Sequence, residues 1–386
     1  MKWKNLFVLG TRPEAIKLLP VIKEFQKHNL ECETNVCVTG QHRQMLDQVI
    51  SLFGVVPEYD FNIMKKNQNI AYVTSSILNK LNSLLHNNRY DFVYIHGDTS
   101  TALASGLASF YAKISVVHIE AGLRTYDINT PWPEEMNRQV CDRISSFHFC
   151  PTQQNAQNLI SEHINREHIV ITGNTVIDAL LMTKELIYSN PRFQDKIINQ
   201  LREERYKVNI ERKMILITGH RRESFGKGFL NICNAIKELA YKFPEVDFVY
   251  PVHLNPNVQK PVYTILGNIN NVYLIKPQDY ISFVWLMDKC YAILTDSGGI
   301  QEEAPSLNKP VFVMRETTER PEALLSGAVK IIGTDEENIK ENISKILNDS
   351  AYYCSMINKI NPYGDGKASQ RIYNYMRRYI NEYFKN

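Results

Sequence analysis

The stretch Thr295-Asp-Ser-Gly-Gly-Ile-Gln-Glu-Glu-Ala-Pro305 decides how the second half of this chain is interpreted. It follows a short apolar run from Cys290 that predicts a buried parallel strand, and a helix is predicted over 300–307. The two glycines let a ligand approach the backbone, and the free N–H groups at a helix start favour an anion such as a phosphate. Glu303, one turn after the second glycine, is placed to accept hydrogen bonds from a ribose diol. Alone, this pattern fits a sugar-nucleotide site and an ordinary tight turn about equally.

Short apolar runs alternate with amphipathic runs on both sides of this stretch, which predicts parallel sheets covered by helices on both faces. The predicted strands are 6–10, 35–39, 92–96, 116–119, 147–150, 169–172, 214–218, 248–251, 272–275, 292–295, 311–314 and 329–332. The predicted helices are 13–27, 43–53, 70–85, 99–111, 134–145, 153–162, 229–242, 257–266, 280–289, 301–307, 321–325, 336–347 and 367–384. The polar passage 188–212 is interpreted as a helical connection and linker.

The pattern predicts an α/β protein with two Rossmann-like, doubly wound parallel-sheet domains that face a central cleft. The expected domains are 1–175 and 176–364, with a helix over about 365–386 that is a candidate to pack back on the first domain. A length of 386 residues agrees with two domains.

Composition excludes several classes of partner. The chain has 44 Lys and Arg against 41 Asp and Glu, a formal charge of +3, so it gives no case for a nucleic-acid or membrane partner. Its seven cysteines form no CxxC pair and no cluster with metal-ligand spacing, which favours reduced thiols, no metal and a cytoplasmic protein. The N-terminus leads directly into a strand and no apolar run approaches membrane-spanning length, which agrees with that expectation.

Charged side chains follow the predicted strands of the first half. Arg12 and Lys17 are expected to point at an anion over the first helix N-terminus, or else to be solvated charges on a capped helix. Asp98 is a candidate helix N-cap. Glu120, at a strand end in otherwise apolar company, is expected to have a raised pKa that suits acid–base work.

Two further segments complete the set. Arg138 follows Glu134 by one helical turn, a spacing that also fits a plain salt bridge. In the second half, Arg221 follows one predicted strand, and His253 lies at the end of another, at the expected cleft edge. Histidines at such positions are more often structural than catalytic. Together, however, carboxylates, histidines and cations at strand ends describe a sugar-nucleotide site.

The assembled motifs resemble the non-hydrolysing UDP-N-acetylglucosamine 2-epimerase family, which has a GT-B-type fold. They cover nearly the whole chain and are highly specific together. The matching stretches are GTRPEAIK (10–17), CVTGQHRQMLDQV (37–49), HGDT (96–99), EAGLRT (120–125), PWPEEMNR (131–138), GNTVIDALL (173–181), GHRRESFGKGF (219–229), YPVHLNPNV (250–258), TDSGGIQEEAPSL (295–307), TTERPEA (317–323) and NPYGDGKAS (361–369). Hydrolysing relatives typically carry Ala-Asp where this chain has Pro13-Glu14.

The resemblance implies a reaction and its residues. UDP-GlcNAc loses its C2 proton and UDP, and re-addition gives UDP-ManNAc, a precursor for surface polysaccharide, with neither NAD nor metal. The implied acid–base candidates are Asp98, Glu120 and Glu134, with Arg138 holding them. His220 is also implied as a catalytic residue, near the phosphates. The implied substrate contacts are Arg12 and Lys17 near the phosphates, Ser297, Gly298 and Gly299 on the diphosphate, Glu303 on the ribose, and Arg320.

The family also implies a homodimer and, in some members, a second UDP-GlcNAc that acts as an allosteric activator. The residues that match this second site are Gln41, Gln44, Arg221 and His253. Three alternatives stay open: a hydrolysing epimerase that releases ManNAc, a GT-B glycosyltransferase, and a sugar-nucleotide-binding regulator.

Overall fold

A computed structural model describes residues 2–40, 43–65 and 68–383 of the chain. The chain divides into two compact units, of which the first comprises Met1–Ala179 and Tyr363–Asn386 and the second Leu180–Pro362. Each unit has its own parallel sheet and its own apolar core.

The first unit contains a seven-stranded sheet in the order β3-β2-β1-β4-β5-β6-β7, with every neighbouring pair parallel. Its strands are β1 (Trp3–Leu9), β2 (Cys32–Val38), β3 (Tyr59–Asp60), β4 (Phe92–His96), β5 (Ser115–Ile119), β6 (Phe147–Cys150) and β7 (Ile169–Ile171). Its helices are α1 (Arg12–Lys27), α2 (Arg43–Leu52), α3 (Ile70–Asn87), α4 (Ser100–Tyr111), α5 (Glu134–Ile144), α6 (Gln153–Ser161) and α7 (Thr175–Ser189), which continues into the second unit, and α16 (Ala368–Tyr383).

The second unit contains a six-stranded parallel sheet in the order β10-β9-β8-β11-β12-β13. Its strands are β8 (Met214–Thr218), β9 (Asp247–Pro251), β10 (Val272–Ile275), β11 (Ala292–Thr295), β12 (Val311–Val313) and β13 (Val329–Ile331). Its helices are α8 (Pro191–Glu203), α9 (Lys227–Lys242), α10 (Pro256–Leu266), α11 (Tyr280–Lys289), α12 (Gly298–Glu303), α13 (Pro321–Leu325), α14 (Glu336–Asn348) and α15 (Ser350–Met356). Short 3-10 turns lie at Arg166–His168, Arg222–Ser224 and Ala304–Leu307.

The prediction of two doubly wound parallel sheets is confirmed. In each sheet the strand order reverses at one place, between β1 and β4 in the first unit and between β8 and β11 in the second. Loops that leave strands on the two sides of such a reversal turn to opposite faces and open a crevice, where ligands of these folds bind. The loops after these four strands therefore position the candidate site.

Several elements differ from the sequence prediction. The two-residue strand β3 and the helices α7 and α15 were not predicted. The sequence of α7 has apolar residues on most of its surface, so the amphipathic pattern that marks a surface helix is weak. Helix α12 begins at Gly298, before the predicted start, and gives way to a 3-10 turn at Ala304.

The C-terminal helix α16 packs against α1. Tyr373 stacks on His28 with ring centroids 3.9 Å apart and meets Phe25 edge-on at 5.2 Å. At the start of α16 the buried carboxylate of Asp178 accepts hydrogen bonds from the amides of Ala368 and Ser369, at 3.2 and 2.8 Å. These contacts tie the end of the chain to the first unit.

All seven cysteines lie among the described residues with free thiols, and all except Cys354 are buried. Burial raises the pKa of buried thiols such as Cys290, here to about 12, so these side chains behave as small apolar groups. In the part of the chain that the structure describes, no helix is both long and apolar enough to cross a membrane.

Candidate active site

The N-terminus of α1 is closed by the protein's own carboxylate. Glu14 is buried and accepts hydrogen bonds from the amides of Gly10 (3.0 Å) and Thr11 (2.7 Å), and Thr11 caps the helix in return. The hydroxyl of Thr99 also donates to Glu14, at 2.5 Å, and burial raises the pKa of this carboxyl. The N-terminus of α1 is therefore capped by residues of the chain itself. Arg12 is the first residue of α1 and is half-buried.

Glu120 lies at the centre of a polar cluster rather than in apolar company, which corrects that expectation. Its carboxylate contacts Nζ of Lys17 at 2.5 Å, Nε2 of His96 at 3.1 Å and Nδ2 of Asn174 at 3.2 Å. Lys17 thus pairs with this carboxylate and is not a solvated charge. Burial lowers the pKa of His96 to about 3, against the opposing charge of Glu120, so His96 is neutral.

The backbone at Glu120 is also unusual. Glu120 follows β5 with a φ of +65°, in the left-handed region that non-glycine residues rarely adopt. Strained conformations of this kind occur mainly at functional sites, where the surrounding structure holds them in place. Across the sheet edge, Gly97 has a φ of +62°, and a Cβ built there would lie 3.6 Å from Oε2 of Glu120.

Asp98 is not a helix N-cap, because Thr99 takes that position and accepts a hydrogen bond from the amide of Ala102. Instead, Asp98 forms an ion pair with Arg138, whose Nε donates to its carboxylate at 3.0 Å. Asn137 Nδ2 donates to the carbonyl of Asp98 at 2.8 Å, which fixes the loop from the other side.

The expected salt bridge from Arg138 to Glu134 is replaced by two others. Arg138 pairs with Asp98 and, at 3.1 Å, with buried Glu135, which is three residues before it and on the inner face of α5. The carboxylate of Glu135 also accepts hydrogen bonds from the amides of Thr125 and Tyr126, so it organises the preceding loop. Glu134 is half-buried at the first position of α5.

Beneath these side chains lies a buried charged network. Nδ1 of His118 is 2.6 Å from Asp142, and Nε2 of His118 is 2.8 Å from the carbonyl of Gly97. Asp142 also pairs with Arg124 at 2.7 Å, and Arg124 makes a two-point contact with Glu162. Burial opposes ionisation of Asp142, but His118 and Arg124 outweigh it and lower its pKa to about 2. Asp142 is therefore a carboxylate at neutral pH.

This network makes stability depend on pH. We expect Asp142→Asn to lower the free energy of unfolding at pH 7 by about 3 kcal/mol, since it removes the buried carboxylate that His118 and Arg124 share. The pKa of Asp142 is lowered on folding, so its stabilisation is complete above pH 4 and is lost as the pH falls towards 2. Urea unfolding should show that the difference in free energy of unfolding between the wild type and Asp142→Asn becomes smaller below pH 4. Asp195→Asn, at an exposed position, is the control. If the difference in free energy of unfolding between the wild type and Asp142→Asn stays constant with pH, the prediction is contradicted.

In the second unit, Asp296 holds the loop that carries His220 and Arg221. Its carboxylate accepts the amides of His220 (2.6 Å) and Arg221 (2.7 Å) and lies 3.3 Å from Nδ1 of His220. Burial opposes ionisation of Asp296, but these contacts outweigh it and lower its pKa. The ring of His220 stacks on that of His253, with centroids 5.2 Å apart. Burial, and next to it the charge of His220, lower the pKa of His253.

The glycines of α12 are not required by the fold. Ser297 is the N-cap residue but makes no side-chain capping bond, and Gly298 and Gly299 have ordinary φ angles. Among the described residues, the nearest non-neighbour atom to a Cβ built on Gly298 is Nη2 of Arg221, at 4.0 Å. For Gly299 it is Oε1 of Glu303, at 3.7 Å. Space for a ligand therefore remains beside both glycines.

The remaining residues of the predicted site are Arg320, Gln41 and Gln44. Arg320 pairs through Nε with buried Glu302, a contact that joins the end of α12 to the start of α13. Gln41 lies outside the described residues, as does the side chain of Gln44, whose backbone belongs to α2.

Sequence reasoning missed His96, His118, Asn174, Glu135, Asp142 and Asp296. Four of them, His96, His118, Asn174 and Asp296, lie at the carboxyl end of a strand or within three residues of it, and this position is the signal that could have found them. Within the described ranges, no group of three His, Cys, Asp or Glu side chains is arranged to hold a metal ion.

Two doubly wound units with charged side chains at their strand ends define an enzyme of the GT-B type. A family model described as UDP-N-acetylglucosamine 2-epimerase matches residues 23–377. The chain belongs to the UDP-N-acetylglucosamine 2-epimerase family and is an enzyme of the epimerase class, which confirms the resemblance found in the motifs.

Individual relatives agree over the whole length. The UDP-N-acetylglucosamine 2-epimerase of Campylobacter jejuni is 53% identical over 371 residues, covering 96% of each chain. The enzyme of Escherichia coli K12 is 51% identical over 369 residues, covering 96% of this chain and 97% of its own. The crystal structure of the Neisseria meningitidis UDP-GlcNAc 2-epimerase bound to UDP-GlcNAc is 50% identical, with a TM-score of 0.87 over 97% of this chain and 100% of the other.

Proposed function

We propose that the protein interconverts UDP-GlcNAc and UDP-ManNAc by elimination and re-addition of UDP. The observation that supports this most is the pair of carboxylates that follow the adjacent strands β4 and β5 of the first sheet, Asp98 and Glu120. Each is held by charged or amide donors, Glu120 by Lys17 and Asn174 and Asp98 by Arg138. The N. meningitidis relative binds UDP-GlcNAc, and we extend that ligand to this chain.

The chemistry requires more than one acid–base group. Removal of the C2 proton and cleavage of the C1–O bond give 2-acetamidoglucal and UDP. UDP then returns to C1 while a proton reaches the opposite face of C2. Since the two faces need separate proton donors and acceptors, we assign these roles to Asp98, Glu120 and Glu134, with Arg138 holding Asp98.

The C2 proton is weakly acidic because no carbonyl is adjacent to it, so departure of UDP must lead the reaction. We propose that Arg12, Lys17 and His220 stabilise the charge on the phosphates, and that Arg320 also contacts the substrate. Ser297, Gly298 and Gly299 hold the diphosphate in this proposal, while Glu303 binds the ribose. The first unit thus performs the sugar chemistry and the second binds UDP.

Proton NMR of UDP-GlcNAc with the purified protein in D₂O tests the reaction. The expected result is UDP-ManNAc, with deuterium at C2 of both sugar nucleotides. Accumulation of free ManNAc and UDP would instead identify a hydrolysing enzyme and contradict the inference from Pro13-Glu14. Binding without turnover would favour a regulator, and consumption that requires an added sugar acceptor would favour a glycosyltransferase.

The diphosphate assignment has its own test. Gly298→Ala is expected to weaken UDP binding about tenfold, because the new methyl group occupies the space left for the diphosphate. The thermal midpoint should stay unchanged, since the φ angle is ordinary and no described side chain would be displaced. Titration calorimetry with UDP measures the first effect and thermal unfolding the second. An unchanged Kd would remove Gly298 from the site.

We further propose that a second UDP-GlcNAc activates the enzyme through Gln41, Gln44, Arg221 and His253. Sigmoidal dependence of rate on UDP-GlcNAc that becomes hyperbolic in Arg221→Met would support this, and hyperbolic wild-type kinetics would contradict it. We also propose a homodimer, which sedimentation equilibrium tests, and a supply of UDP-ManNAc to surface polysaccharide synthesis in the cytoplasm.

A further inference from the structure

We propose that His118 carries protons on both ring nitrogens and in that form positions the loop between His96 and Asp98. It is a positioning residue rather than a catalytic one, because its contacts are with Asp142 and the backbone of Gly97. The proposal rests on the proposed function, since it gives the loop a role through Asp98.

The hydrogen-bond partners of His118 define its protonation. A backbone carbonyl only accepts hydrogen bonds, so Nε2 must carry a proton to bond Gly97. Asp142 is ionised and likewise only accepts, so Nδ1 must carry a proton as well. A ring with protons on both nitrogens is an imidazolium.

The surroundings keep this charge in place. The ring of His118 is fully buried, and the carboxylate of Asp142 lies against it. Arg124 neutralises the other side of Asp142 and is itself held by Glu162. The two histidines on adjacent strands add no competing charge: His148, in register with His118 on β6, and His96 on β4 both have pKa values lowered by burial.

The hydrogen bond from His118 to Gly97 is important because Gly97 lies between two residues of the candidate site, His96 and Asp98. Gly97 has a φ of +62° and separates His96, which faces Glu120, from Asp98, which pairs with Arg138. Its amide donates to the carbonyl of Ile119, and its carbonyl accepts from His118. The two chain segments that carry Asp98 and Glu120 are thus locked to each other through one peptide unit and one buried ring.

His118→Gln should therefore lower kcat with little change in KM. A misplacement of about 1 Å at a reacting group costs roughly a hundredfold in rate, so we expect a fall in kcat of that size and a KM within threefold. The matched control is His148→Gln, which removes an equally buried ring whose Nε2 bonds the carbonyl of Asp142. It should lose stability but keep kcat within threefold. A His118→Gln variant with the kcat of this control would overturn the proposal.

A spectroscopic measurement on the wild-type protein does not depend on activity. In wild-type protein labelled with ¹⁵N-histidine, one residue should show two ring N–H correlations at pH 7.5, and His148→Gln should retain them. Two such correlations for His118 support the doubly protonated ring, and a single correlation for His118 overturns it. If the wild type shows both ring protons but no epimerisation, the proposed function fails while the charged ring stands.

Discussion

Replacing Glu120 by glutamine is expected to lower kcat for epimerisation by about a thousandfold, in the middle of the range for a general acid or base. The carboxamide keeps the size of the side chain and still accepts from Lys17 and Asn174, but it cannot take up a proton. The loss should therefore appear in kcat, with the fold and the affinity for UDP unchanged. The measurement is proton NMR of UDP-GlcNAc conversion in D₂O.

Exchange of the C2 proton with D₂O in the Glu120→Gln variant tests on which face of C2 Glu120 acts. If Glu120 acts on one face of C2 only, Glu120→Gln should still exchange the C2 proton of one sugar nucleotide without forming the other. Exposed Glu167→Gln in the first unit is the matched control and should keep full activity. A Glu120→Gln variant with more than about a tenth of wild-type kcat would exclude Glu120 as an acid–base group.

The strands were the most predictable part of this fold. A buried parallel strand is a short apolar run between polar turns, and β4, β6, β8, β10 and β11 were predicted with the bounds that the structure has. Strand β3 could not be predicted in this way, because two residues are too few to form a pattern. The extended start of α12 reflects a similar limit: Gly298 and Gly299 usually signal a turn, yet here they form the first turn of the helix.

The partners of the site residues were much harder to predict than their positions. Spacing along the chain suggested that Arg138 pairs with Glu134, whereas a residue on a different loop, Asp98, takes that place. Likewise, Lys17 lies at a helix start in the sequence but contacts a carboxylate 103 positions away. Such pairs depend on which loops the sheet order brings together, and neither helical periodicity nor local capping rules contain that information.

Asp98→Asn is the second variant for which we expect a large effect, a fall in kcat of about 10² to 10³. The substitution removes the negative charge opposite Arg138 and leaves that guanidinium paired with Glu135 alone. An amide oxygen at the same place still accepts a hydrogen bond from Arg138, so the loop geometry and the thermal midpoint should change little.

The matched control for this variant lies at the other end of strand β4. Asp91 precedes β4 as Asp98 follows it, and its carboxylate accepts the exposed amide of Lys4 at 2.7 Å. Asp91→Asn removes one charge at the opposite end of the strand and should leave kcat unchanged. If Asp98→Asn and Asp91→Asn have the same kcat, the Asp98–Arg138 pair is only structural, and the acid–base roles fall to Glu120 and Glu134. If Asp98→Asn alone is slow at an unchanged KM, the charge of Asp98 acts in the transition state rather than in substrate binding.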